Sequence, residues 1–215
     1  MHHEDAHAGP LALLTARVVR LYAATRTESS DSDFILQECC ILDAELDQWE
    51  KNLPTPWHFT PQSAEHVNYT FQDTSHIYHD FWLARMVTSF RWTRILVCHL
   101  ILTRYEATPR ILGRAHYINT IRRLSVDICH SVPYFLEKSI ISEKPITPFP
   151  VFAGCFVVIF PLAVVGCAIG VAEDVQQYAI GILQMLSDKL GISGATTLVD
   201  YVQRLRQQWQ RYATE

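Results

Sequence analysis

The sequence predicts an all-α fold: about seven helices packed as antiparallel pairs around a long central helix. Three observations carry this. Apolar residues recur at intervals of three and four along most of the chain. No strand-like alternation bounded by hairpin turns interrupts them. The stretch His76 to Ala107 runs without proline or glycine and is apolar nearly all round, as suits a helix touched on several sides. A chain of 215 residues is long enough for one sizeable core. With 49% apolar and 19% charged residues, disorder is excluded for its bulk.

The elements follow in order. Residues 1–10, MHHEDAHAGP, lack periodicity and read as a disordered tail, its histidines solvated rather than metal-bound; residues 11–215 read as a single helical domain. From Leu11 to Thr25 the helical stripe is Leu14, Val18, Leu21 and Tyr22. TESSDSD then offers side-chain oxygens to the orphan N–H groups of a helix start. The next helix carries Ile35, Cys39, Leu42, Leu46, Trp49 and Leu53 on one face. Asp43, Glu45, Asp47 and Glu50 lie off that stripe, so most of this acidic run is expected on the solvated side. Asn52-Leu53-Pro54 ends the helix, because a residue before proline is pushed out of the helical region. Trp57 and Phe59 are expected to tuck back onto the domain, and residues 58–75 to form a polar connection.

The long helix, 76–107, comes next. Beyond Pro109, residues 110–141 are again helical in pattern, with a kink or break expected at Pro133. No charge occurs from Pro145 through Ala172, a length that would satisfy a membrane span. Pro148, Pro150, Pro161 and three glycines punctuate that run, and acids rather than basic residues flank its far end. A buried core helix is therefore the reading, against a membrane anchor over residues 149–172. Glu173 and Asp174 suit the first turn of the following helix. Gly191 is a natural C-cap, and Ser193 starts a last helix with Leu198, Val202, Leu205 and Trp209 on its face.

Chemistry is sparse. A net charge of −4 argues against a dedicated nucleic-acid binder. Arg outnumbers Lys, which suits internal salt bridges. The six cysteines (39, 40, 98, 129, 155, 167) show no C-x-x-C pair and read as small buried hydrophobes. The start of the chain has no secretory character, so reduced thiols and an intracellular protein are expected, and Asn68-Tyr69-Thr70 is taken as a chance glycosylation match. Asp43 and Asp47 share a helix face, but no second acidic motif answers them, so a multi-Mg²⁺ pyrophosphate site is not supported. No nucleophile turn and no phosphate-cradling glycine loop is present.

His76, His79 and Asp80 sit together at the start of the long helix and invite a metal, with His58, His66 or His99 as a third ligand. Capping and dipole roles are the plainer reading. Arg85, Arg91 and Arg94 interleave with Trp82 and Trp92, which suits salt bridges and cation–π packing better than base stacking. Tyr78, Phe81, Trp82, Phe90 and Trp92 are expected in plain core, with a ligand pocket between helices as the alternative. The candidate polar lining of such a pocket is His76, His79, Asp80, Trp82, Arg85 and His99. No catalytic residue, metal ligand set or cofactor is assigned.

Three stretches in order, LDAELDQWEKNLPTPWHF, HIYHDFWLARMVTSFRWTRILVCHLIL and PVFAGCFVVIFPLAVVGCA followed by a helix ending in KLGI, together resemble one family. It is the helical regulatory domain found C-terminal to the zinc binuclear cluster in fungal transcription factors. The likeness spans roughly residues 35–205 and consists of packing patterns. It implies an all-α scaffold, nuclear in location, that modulates a DNA-binding module and senses a small apolar effector or a protein partner, a second copy of the chain among them. The family's zinc cluster needs six closely spaced cysteines beside a basic run; here they are scattered from 39 to 167, and the one notable arginine pair is Arg122-Arg123. The expectation is a non-catalytic regulatory or interaction domain that binds no zinc and contacts neither DNA nor membrane. The alternative is a small enzyme of fungal secondary metabolism reusing the scaffold around an apolar pocket.

Overall fold

A computed structural model describes residues 5–25, 32–64, 69–105, 113–140 and 150–212. Its seven helices are α1 (Asp5–Ala24), α2 (Ser32–Lys51), α3 (Phe81–Tyr105), α4 (Arg114–Ile140), α5 (Pro150–Cys167), α6 (Glu173–Leu190) and α7 (Ser193–Tyr212). From α2 onward each helix packs on the next in sequence, α1 lies across α2 and α3, and α5 bridges α3 and α7. The architecture is all-α, as its periodicities require. Helix α3 is central, packed against α1, α2, α4 and α5. Its nearly encircling apolar surface follows from that position.

Local signals set most boundaries. The α2 stripe Ile35, Cys39, Leu42, Leu46 and Trp49 is buried throughout, and the helix stops at Lys51, just ahead of Asn52-Leu53-Pro54. A single 3₁₀ turn, Thr55–Trp57, then drops the Trp57 ring into the core against Trp49 and Trp82. Glu173 and Asp174 occupy the first turn of α6, and Gly191 closes it at φ +65°, where a Cβ would be strained. Four thiols, Cys39, Cys98, Cys129 and Cys155, are buried as small hydrophobes.

Several expectations are corrected. The tail assigned to residues 1–10 is helical from Asp5, with Pro10 inside α1. Proline in the second turn forfeits only one backbone bond. Tertiary contact supplies the rest: the Trp49 indole donates to the His7 carbonyl at 2.9 Å, and the His7 ring meets Trp57 edge-on. The long helix begins at Phe81 rather than His76. Asp80 caps it, accepting from Leu83 N–H at 2.8 Å. His76 belongs instead to a two-stranded antiparallel ribbon, β1 (Thr60–Ser63) with β2 (Thr74–Ile77), which packs on α4. The chain enters β2 through a tight turn bridged by Phe71 and Thr74, with Gln72 and Asp73 in the left-handed region at φ +51° and +50°.

Helix α4 continues through Pro133. The Cys129 carbonyl, left without its partner by the missing N–H, lies 3.5 Å from the Tyr178 hydroxyl, which donates to the Tyr69 carbonyl at 2.6 Å. Helix α5 is buried along Cys155, Val158, Leu162 and Val165 but leaves Phe156 and Phe160 exposed. Among the described residues no helix is long and apolar enough to cross a membrane. Residues 27–31 of the TESSDSD cap, together with His66 and Asn68, lie outside the described residues, as does the side chain of Trp209.

Candidate functional site

Two polar clusters inside the helical body account for most of the chain's conspicuous charges. In the first, Arg94 of α3 is 2% exposed and is held by three acids of α2: Asp43 at 3.0 Å, Asp47 at 2.9 Å and Glu50 at 2.9 Å. Glu50 also takes Arg123 of α4 in a two-pronged pair at 2.7 and 2.8 Å. This corrects the expectation that most of the acidic run is solvated. Positions 43, 47 and 50 flank the apolar stripe on one side, and α3 crosses α2 on that side. Lys51 and Arg94 together hold the Asp47 carboxyl below the usual carboxylate range.

In the second cluster, Arg91 is equally buried. Its Nη1 donates to Ser131 Oγ at 2.7 Å, to the Asp127 carbonyl at 3.2 Å and to the Tyr78 hydroxyl, and the guanidinium lies 5.1 Å from the Phe59 ring centre. His76 stacks on Phe59 at 3.6 Å and meets His130 edge-on at 5.1 Å. Burial, with Arg91 and His130 nearby, pushes the His76 imidazolium down to about 2, so the ring is neutral at any ordinary pH. Among the described residues His76 Nδ1 and His130 Nε2 are buried without a hydrogen-bond partner. The described residues hold no group of three or more His, Cys, Asp or Glu placed for a metal ion.

The six candidate lining residues do not share a cavity. His76 is locked in the second cluster. His79 is exposed beside Asp80, and Asp80 is occupied as the α3 cap. Trp82 packs on Trp57. Arg85 edges a shallow depression of about 460 Å³ formed with Phe81, Met86, Ser89, Phe156 and Val157. The helix start scatters these residues because its side chains leave in different directions, and the ribbon removes His76 from it altogether.

Among the described residues, His99 lines a deeper opening. That cleft, of about 430 Å³, has Trp92, Ile95, Leu96 and His99 of α3 and Ala163, Val164 and Cys167 of α5 as its floor. Val19 and Tyr22 of α1 form one wall, and Leu198, Tyr201 and Leu205 of α7 the other. Phe160 closes one end, its ring set edge-on to Trp92 at 4.9 Å. Among the described residues the lining contains no Asp, Glu, Lys or Arg. Its polar groups are the Tyr22 and Tyr201 hydroxyls, the Cys167 thiol and the His99 imidazole. The Ile169 N–H donates to His99 Nδ1 at 3.3 Å, which fixes the neutral tautomer with its proton on Nε2, and burial pushes the imidazolium down to about 4. Burial likewise raises the Tyr22 phenol, with Cys39, Tyr201 and Cys167 adding to it, so the hydroxyl stays protonated.

The cleft falls in the size range of small-molecule sites, about 300–1,000 Å³, and has their composition: apolar walls and a few polar groups. Its rim adds exposed apolar surface, with Val19 at 53%, Phe160 at 45% and Tyr201 at 44%. Sequence reasoning reached Trp92 and His99 and missed the rest. Tyr22 was read as one more member of a core stripe, and α5 as wholly buried. One signal was available: an uncharged helix has no face suited to water, so any face left open marks a site. No family model, curated protein or solved structure matches the chain.

Proposed function

We infer that the chain is a non-catalytic regulatory or interaction domain that takes a small apolar effector in the cleft between α1, α3, α5 and α7. The observation that carries this reading is the cleft itself, open and without a charge among its described lining residues, while Arg91 and Arg94 are buried in polar clusters elsewhere. The likeness to the regulatory domain of fungal zinc-cluster transcription factors supports it in kind. On that likeness the domain acts in the nucleus on a DNA-binding partner, without contacting DNA itself. An effector seated there touches four helices at once, and α1 and α7 make no close backbone approach to each other. Closing them on a ligand is a plain way to transmit its presence to a partner surface.

The experiment is thermal unfolding of the full chain against a panel of neutral apolar compounds. A ligand at a hundred times its dissociation constant stabilises by about 2.7 kcal/mol, a rise of several degrees. Ala163→Phe, which fills the floor of the cleft, should abolish the rise while leaving the protein folded. If no compound raises the midpoint of the folded protein, or if Ala163→Phe leaves the rise intact, the effector reading fails.

A further inference from the structure

The cleft's few polar groups restrict what it can hold. Among the described residues no lining side chain carries a charge, so an anion entering the cleft would leave water without a counter-charge, a cost of several kcal/mol. A pure hydrocarbon would bury the Tyr22 hydroxyl unsatisfied. That hydroxyl takes no hydrogen-bond partner among the described residues; the Thr25 hydroxyl donates instead to the Tyr22 backbone carbonyl, at 2.7 Å. A phenol is a good neutral donor, and one held protonated by its surroundings offers its hydrogen to an acceptor oxygen. Tyr201 offers a second phenol from the opposite wall, at the rim, with 44% of its surface exposed.

Resting on the effector reading above, the geometry points to a neutral, largely apolar molecule bearing a carbonyl oxygen (a ketone, ester or lactone), with Tyr22 donating to that oxygen inside the cleft and Tyr201 at its rim. The apolar skeleton lies along α3 and α5, and the carbonyl end faces the two phenols. Fatty carboxylates are rejected on desolvation. Hydrocarbons of equal size bind, but without the increment of the hydrogen bond.

The test uses 6-propionyl-2-dimethylaminonaphthalene, a neutral aromatic ketone whose emission reports both apolarity and hydrogen bonding at its carbonyl, with naphthalene as the carbonyl-free control. The ketone should bind the full chain with strengthened, blue-shifted emission, and Ala163→Phe should remove the binding. Tyr22→Phe should weaken the ketone about fivefold, the worth of roughly one net hydrogen bond, and leave naphthalene unchanged. Tyr201→Phe, at an exposed position that folding does not need, should weaken it about twofold to threefold, as suits a partly solvated bond. The anionic 8-anilinonaphthalene-1-sulfonate should displace the ketone only weakly.

Unchanged ketone affinity in folded Tyr22→Phe and Tyr201→Phe, or equal displacement by the anion, would overturn the carbonyl assignment while leaving a cleft that binds apolar ligands. If neither the ketone nor naphthalene binds the folded protein, the assignment and the effector reading fall together.

Discussion

Asp43 and Glu45 stand two positions apart in one acidic run and do different work. Asp43 is 8% exposed and lies against a buried guanidinium, whereas Glu45 pairs with Arg17 at the surface. Arg94→Met should therefore cost about 3–5 kcal/mol in urea unfolding, because it strands a buried carboxylate, and adding Asp43→Leu should recover part of that loss. Glu45→Ala should cost less than about 1 kcal/mol. Equal costs at the two sites would show that the clamp is a surface pair in disguise. His76 gives the residue scale its pH dependence. Its native value lies at about 2 against an ordinary 6.5, so below about pH 6.5 the unfolded chain binds a proton that the native chain does not. Stability is then full above that pH and falls as the medium acidifies, by about 1–2 kcal/mol at pH 5 from this ring alone. Unfolding in urea at pH 7 and pH 5 measures it. His76→Phe, which keeps the stack on Phe59, should shrink the difference between the two; an unchanged difference would move the titration elsewhere.

At the scale of elements, the cleft depends on how closely α7 lies on α5. A Cβ at Gly166 would come within 2.9 Å of Val202 Cγ1, closer than two carbons tolerate, so the glycine permits the approach. Gly166→Ala should cost up to about 2 kcal/mol despite the better helix propensity of alanine, and Val202→Ala should offset part of it. Gly181 of α6 has nothing within 4 Å, so Gly181→Ala should stabilise by about 0.5–1 kcal/mol. Opposite signs at two helical glycines, read as shifts in melting temperature, test the α5–α7 packing directly; the same sign at both would refute it. The other cleft wall is set from a distance. Helix α1 is held at its N-terminal turn by Trp49 and Trp57, which is why Pro10 does not end it.

For the whole molecule, the arginines and acids of α2, α3 and α4 form an interior ion-pair framework, and the open apolar surface is gathered at the cleft flanked by α1 and α7. The division is physically sensible. Buried ion pairs lose heavily if geometry loosens, so they fix the register of α2 against α3, while dispersion contacts in the cleft can adjust to a guest. The stripe from Ile35 to Trp49, the caps at Glu173 and Gly191 and the encircled character of α3 were legible in the sequence, because helix period, caps and proline stops act over a few residues. The tight turn at Gln72-Asp73 was not, since neither residue announces a positive φ as glycine would. By itself the sequence determined which segments are helical and which face of each is buried. Only the tertiary structure decided that three acids meet Arg94, that His76 leaves the helix for a ribbon, and that Tyr22 and Tyr201 line one cleft. The reason is that a residue's place on its own helix follows from local spacing, whereas its neighbour on another helix follows from how the two cross, which no local period encodes.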